Sequence, residues 1–242
     1  MKLLLELINT PVKRVASNQP TNKERSEERS SYGSRSPKSK QLGRGVFGSV
    51  ERHQNLPPGA VVKYGRTVLN DAARDGYINY IKAITKSDRM ARNPYFPRIY
   101  TIKIIDGENY TVIMEELTPF ITVNMRELES LADRMFGSLQ NMTTHFHPDP
   151  GLEYKPSKET KRSNQYSRLD YITRLPQILN RIIRGESPMD LITDPQLREA
   201  LLIIKGVARN THTGGHPDIH EGNVMLRRGP TGIQLVITDP MV

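Results

Sequence analysis

The sequence contains no cysteine. Disulfides and cysteine-ligated zinc are therefore excluded, and a reducing compartment is the simpler setting. No apolar run approaches the roughly 18 residues that a membrane span needs, so no membrane partner is expected. The apolar opening MKLLLELI is short, carries Glu6 and lacks a small-residue cleavage site. It reads as a short helix or strand rather than a signal peptide. Apolar residues make up only 36% of the chain, below the ordinary globular share. With 242 residues there is still room for one large domain or two lobes around a sizeable core. The expectation is a folded unit with polar tails or loops. No internal repeat is evident.

Positive charge is abundant, at a formal +9, but it is local. Residues 12–44 hold nine Lys or Arg against three Glu and supply most of the excess. Such a stretch could attract nucleic acid or acidic proteins; the plainer account is a solvated tail. Residues 17–40 have almost no apolar side chains. They cannot bury enough surface to offset their ordering entropy, which predicts disorder. Ser26, Ser30, Ser31, Ser34, Ser36 and Ser39 lie there among basic residues. They suit phosphate acceptors as well as an inert linker.

Next comes QLGRGVFGSV over 41–50. G-x-G-x-x-G alone is a weak signal. Its flanks, Leu42 and Val50, favour a β-hairpin over the strand-to-helix turn of a dinucleotide site. Gly43, Gly45 and Gly48, with Phe47 and Val50 beside them, would lay backbone over a phosphate chain. Ala60, Val61, Val62 and Lys63 form a short apolar strand ending in Lys, 15 positions after Gly48. Adjacent antiparallel strands would bring that ammonium beneath the phosphates. Residues 70–86 have helical spacing, with Ala72, Ala73, Tyr77, Ile78, Ile81 and Ile84 near one face. A kinase would place a Glu on this helix to pair with the strand Lys; there is none, Asp71 and Asp75 are its carboxylates, and Asp75 is the candidate substitute.

Residues 100–105 and 110–117 read as a hairpin about Asp106-Gly107. The end of that hairpin, MEEL at 114–117, resembles a kinase hinge; the resemblance implies that Met114 borders the back of a nucleotide pocket and that the Glu115 carbonyl and Leu117 amide meet an adenine edge. Residues 123–139 read as an amphipathic helix, and 140–168 as an inserted polar loop. His145, His147 and Asp149 in that loop could ligate a metal, though a solvated loop is the preferred account. Further helices are predicted at 169–184 and 195–210, the latter with Leu197, Leu201, Leu202, Ile204 and Val207 on a buried-looking face.

The chain is organised around GHPDIHEGNVML at 215–226, an H-x-D-x-H-x-x-N pattern with an apolar triplet after it. Asp239 follows Asn223 by 16 positions, after a predicted hairpin through 228–232. An Asp, an Asn five residues on and a second Asp beyond a hairpin form a kinase-type constellation. Asp218 would orient and deprotonate an attacking hydroxyl. Asn223 and Asp239 would supply oxygen ligands to magnesium. His212, His216 and His220 are spaced by four, as on a metal-binding helix, but Gly214, Gly215 and Pro217 argue against continuous helix there.

Taken together, Gly43, Gly45, Gly48, Lys63, Asp218, Asn223 and Asp239 resemble the protein-kinase-like fold, in order over residues 41–242. The H-x-D-x-H-x-x-N form is closer to atypical and small-molecule kinases, such as aminoglycoside and choline kinases. DIHEGNVM at 218–225, ITDP at 237–240 and FPRIY at 96–100 resemble the early serine/threonine protein kinases of T-seven-type short-tailed bacteriophages. The resemblance implies an α+β, bilobal fold: a tail at 1–40, a small antiparallel β N-lobe with hinge at 41–117, and a reduced, mostly helical C-lobe at 118–242. It implies ATP and Mg2+ as cofactors, Lys63 and Asp218 as catalytic residues, and Asn223 and Asp239 as metal ligands. It also implies host bacterial proteins as substrates, the transcription or translation machinery among them, action in the host cytoplasm, and a part in host takeover and gene-expression shut-off. The family carries a further C-terminal segment, so this chain resembles its kinase part.

The sequence departs from the pattern at His220, where serine/threonine kinases carry a phosphate-binding Lys, and at Pro240 and Met241, which replace Phe-Gly. The helical Glu is absent, and no activation segment follows Asp239. Two other readings stay open. One keeps the chemistry on a small-molecule acceptor; the other is a kinase-like module that blocks a host factor without catalysis. A pure binder, however, has no need of Lys63, Asp218, Asn223 and Asp239 together.

Overall fold

The computed structural model describes residues 39–44, 48–67, 71–122, 124–138, 141, 173–211, 216–230 and 232–241. The expectations for residues 1–38, Gly45, Phe47, the loop beyond 141, the helix start at 169 and His212 lie outside them. The chain is a mixed α+β protein with a small antiparallel sheet and several helices.

Five strands make the first sheet: β1 (Ser39–Arg44), β2 (Gly48–His53), β3 (Ala60–Arg66), β4 (Ile99–Ile105) and β5 (Asn109–Glu115). Their order is β1-β2-β3-β5-β4, antiparallel throughout. Because β1 starts at Ser39, the last two residues of the expected tail belong to the sheet. The turn between β4 and β5 is the expected Asp106-Gly107, both with positive φ (52° and 71°). They belong to a three-residue connection, 106–108, between the paired Ile105 and Asn109. β3 opens with Ala60, Val61 and Val62, all buried, because the sheet is covered on both faces there. Val61 joins the main core, while Ala60 and Val62 join a small cluster with Leu56 and Ile113.

Helix α1 spans Gly76–Thr85 and buries Tyr77, Ile78, Tyr80, Ile81 and Ile84. It begins later than the apolar spacing predicts. The Asp71 carboxylate accepts from Ala73 N at 2.8 Å, and Asp75 accepts from Ile78 N at 2.8 Å. Asx-type turns and N-caps of this kind compete with helix propagation, so 71–75 form a turn. Asp75 is thus the cap of α1. A short helix, α2 (Asp88–Ala91), leads back to the sheet.

The second sheet has three strands, β6 (Thr118–Pro119), β7 (Val224–Gly229) and β8 (Gly232–Ile237), in that order. Around it lie α3 (Met125–Phe136), α4 (Leu175–Arg184) and α5 (Pro195–Asn210). α3 is shorter than predicted because Asn124 caps its start and Gly137 ends it in the left-handed region. α5 has the predicted bounds. Asp194 accepts from Gln196 N and Leu197 N, and Pro195 sits in the first turn, where its missing N–H costs nothing. Leu197, Ala200, Leu201 and Ile204 are buried, but Leu202 is 54% exposed. It lies 100° around from Leu201, off the stripe that meets α1 and α4.

One apolar core runs through both sheets, from Val61 and Val112 past Ile78, Ile81, Leu131 and Leu201 to Leu226 and Leu235. No helix among the described residues is long and apolar enough to cross a membrane.

Candidate active site

Lys63 lies in the middle of β3, opposite Val50 of β2 and Val112 of β5. Its ammonium is 2.6 Å from Asp239 Oδ2 and 3.6 Å from the centroid of the Tyr77 ring. Asp239 follows β8 by two residues. The two charges come from positions 176 apart in sequence, and the shared core beneath both sheets brings them together.

The loop at 216–223 is held to the same end of β8. Pro217 bridges Met241, and Asp218 N donates to Pro240 O at 2.8 Å. Ile219 is buried, and its N–H donates to Asn180 Oδ1 of α4 at 3.1 Å. The loop therefore plugs into the core by one apolar side chain and is pinned by one amide. Asn223 Nδ2 donates to Asp218 O at 2.9 Å and approaches Asp218 Oδ2 at 3.4 Å. Thr238 N donates to Asn223 O at 2.9 Å, with its hydroxyl on the same oxygen at 3.0 Å. Asp218 and Asn223 are thus bonded to each other, and the backbone on either side of Asp239, at Thr238 and Pro240, is bonded to them; Lys63 meets Asp239 itself.

His220 flanks Asp218, with Nε2 3.4 Å from Oδ2. Gly222 N donates to His220 Nδ1 at 3.0 Å. An accepting Nδ1 leaves the proton on Nε2, the atom turned to the carboxylate. Gln177 of α4 donates to Glu221 at 2.9 Å and steadies the outer side of the loop.

The glycine hairpin contributes two described glycines. A Cβ at Gly48 would lie 2.1 Å from Tyr64 O, so glycine is needed there for packing against β3 itself. A Cβ at Gly43 would meet no atom of the described residues within 4 Å. Val50 packs partly buried against the core beside Lys63. At the end of β5, Met114 is buried opposite Val61. The Glu115 side chain has a role that the spacing does not signal. Its Oε2 accepts from Arg227 Nε at 2.9 Å, and its Oε1 from Arg98 N at 2.8 Å. Leu117 lies in the short link to β6, and Glu116 N donates to Gly59 O at 2.6 Å.

Four further residues that hold the site carry no motif: Tyr77 at Lys63, Tyr80, Asn180 and Gln177. Tyr80 OH donates to Ile237 O at 2.5 Å and bolts α1 to the end of β8. Burial holds the Tyr77 and Tyr80 phenols neutral well above their ordinary pKa, and the nearby Asp239 charge adds to it.

Magnesium fits this donor set. With the Asn223 amide nitrogen engaged, its oxygen is the atom left to ligate, and Asp239 is 33% exposed. No cluster of three or more His, Cys, Asp or Glu is present among the described residues. Magnesium bound jointly with phosphate oxygens needs only one or two carboxylates. A separate open groove of about 760 Å³, lined by Arg89, Arg92, Arg198, Leu202 and neighbours, contains none of these residues. No family model matches the chain, and no curated protein matches it either.

Proposed function

We propose that the chain is an ATP- and magnesium-dependent phosphotransferase of the protein-kinase-like type, acting on serine or threonine of host bacterial proteins and on itself. One observation carries the reading: a Lys63–Asp239 pair and an Asn223–Asp218 pair, scattered over the chain, are joined through the backbone of Thr238 and Pro240. In this reading residues 41–117 are the nucleotide-holding lobe with its hinge, and 118–242 the lobe that brings the acceptor.

Each residue then has a task. Gly43, Gly45, Phe47, Gly48 and Val50 cover the phosphates, while Met114, Glu115 and Leu117 border the adenine. Lys63 holds the α- and β-phosphates and exchanges its contact with Asp239 for them. Asn223 and Asp239 hold magnesium, which supplies neutralisation of phosphate charge when bound. Asp218 orients the acceptor hydroxyl and takes its proton as the oxygen bonds to the γ-phosphorus and ADP leaves. His220 Nε2 stands 3.4 Å from Oδ2 of the same carboxylate, on the side away from the proton that carboxylate takes. Transfer here is chiefly positioning and electrostatics, so the loss of one member is costly.

His220 also favours a second reading with the same chemistry on a small-molecule acceptor. Its ring stands beside Asp218 where the resembled protein kinases carry a phosphate-binding lysine. One experiment addresses both. The purified chain receives γ-labelled ATP and magnesium, alone and with bacterial lysate, beside an Asp218→Ala control whose nucleotide binding is measured in parallel. Label on protein that falls roughly 100- to 10,000-fold in the control, with binding retained, supports the protein-kinase reading. Nucleotide turnover that labels no protein moves the assignment to a small acceptor. Full transfer by the control removes the role given to Asp218.

A further inference from the structure

We infer that Tyr77 is the positioning residue for the Lys63 ammonium, doing with the face of a ring what a helical carboxylate would do with a charge. The use made of Lys63 rests on the phosphotransferase reading above; the contact does not. α1 offers no glutamate. The side chain it brings to Lys63 is Tyr77, with the ammonium 3.6 Å from the ring centroid. An aromatic face is the negative end of a quadrupole and attracts a cation within about 6 Å. Tyr77 is 6% exposed and the Lys63 side chain 15%, so water screens the contact little.

The hydroxyl is not what Tyr77 contributes. It is buried and has no hydrogen-bond partner among the described residues. What is held in place is the ring. Tyr110 lies against it at 5.4 Å between centroids and Tyr80 at 6.5 Å. Helix α1 is itself fixed at both sides of the site. Asp75 caps it, Tyr80 ties it to Ile237, and a Cβ on Gly76 would already lie 3.0 Å from Met241 Cβ. One helix therefore touches Lys63 and the Asp239 segment at once.

A ring also suits this site better than a carboxylate. Asp239 already sits 2.6 Å from Lys63. A second carboxylate would compete for the ammonium and add negative charge where phosphates must come. The π face attracts the cation without consuming its three N–H donors as a carboxylate acceptor would.

The test has two arms, on the full chain. Lysines are dimethylated with 13C-formaldehyde, and the Lys63 signal is assigned with Lys63→Arg. In the unaltered chain and in Tyr77→Phe the ring current should shift that signal upfield. In Tyr77→Leu and Tyr77→Met it should return among the other lysines. Tyr77→Met keeps the bulk, so the comparison survives if Tyr77→Leu does not fold. In the second arm, KM for ATP should rise about tenfold in the non-aromatic variants, equivalent to about 1.4 kcal/mol. It should stay within about twofold in Tyr77→Phe, with the acceptor KM unchanged in all. A general loss of stability would lower the active fraction without that split. An unshifted Lys63 signal in the unaltered chain, or Tyr77→Phe as damaging as Tyr77→Leu, overturns the inference. If the chain transfers no phosphate, the functional reading fails, and the nucleotide-free arm still decides the contact.

Discussion

At Arg227, on β7, three acceptors meet one guanidinium. Nε donates to Glu115 Oε2, Nη1 to Pro94 O and Nη2 to Phe96 O, each at 2.9 Å, and Nη2 also contacts Glu115 Oε1. The two side chains are 19% and 9% exposed. This node ties the second sheet to the last residue of the first, next to the proposed hinge. Removing Arg227 leaves a desolvated carboxylate with only the Arg98 amide and no countercharge, and takes the guanidinium donors from two carbonyls. Arg227→Ala is expected to destabilise by about 3 kcal/mol in denaturant unfolding. Lysine lacks the fork that reaches three acceptors, so Arg227→Lys should recover only part of it. A loss below about 1 kcal/mol would place the pair among ordinary exposed ion pairs.

Helix α1 carries the consequences at the scale of an element. It supplies Tyr77 to Lys63 and Tyr80 to the end of β8, and one carboxylate starts it. Asp75→Ala removes that cap and should cost about 1–2 kcal/mol, while Asp75→Asn keeps an acceptor and most of the stability. The expected signature is faster amide exchange in the first turn of α1, at Ile78 above all, whose N–H loses its acceptor. Unchanged exchange at Ile78 would show that the turn at 71–75 holds the helix start without the cap. Where α1 starts was not legible in the apolar spacing, since Ala72 and Ala73 fit the helical face as well as Tyr77 does. Local hydrogen bonding by Asp71 and Asp75 decided it.

For the molecule as a whole, four buried tyrosines set an alkaline limit. Tyr77, Tyr80, Tyr95 and Tyr110 all have phenol pKa values raised above 10, chiefly by burial. Asp239 contributes at three of them, and a hydrogen bond to Asp194 at Tyr95. A raised folded pKa means that the unfolded chain ionises first. The stabilisation is therefore complete below the unfolded value, about 10, and is lost as pH rises toward the folded values. Thermal midpoints should be insensitive to these groups up to about pH 10 and fall steeply above it. The phenolate absorbance should appear together with unfolding. Phenolate signal from all the tyrosines before any loss of structure would show that burial does not hold these four neutral.

What the sequence determined by itself was local. Asp194 and Pro195 with the following apolar stripe fix the start of α5. Asp106-Gly107 fixes a hairpin turn, because few residues adopt its backbone angles. The order of Lys63, Asp218, Asn223 and Asp239 along the chain was equally legible, since residue type and spacing are one-dimensional. Packing chose which distant groups touch. Lys63 meets Asp239 because one core underlies both sheets. Tyr77 meets Lys63 because α1 is bolted to β8. Leu202 faces outward although its neighbours do not, since the buried face of a helix is chosen by what packs against it. Glu115 becomes a structural anchor for the same reason: its partner, Arg227, lies 112 residues away. Backbone sterics and capping act between neighbours and can be read in sequence. Burial and charge pairing act between surfaces that do not exist until the chain has folded.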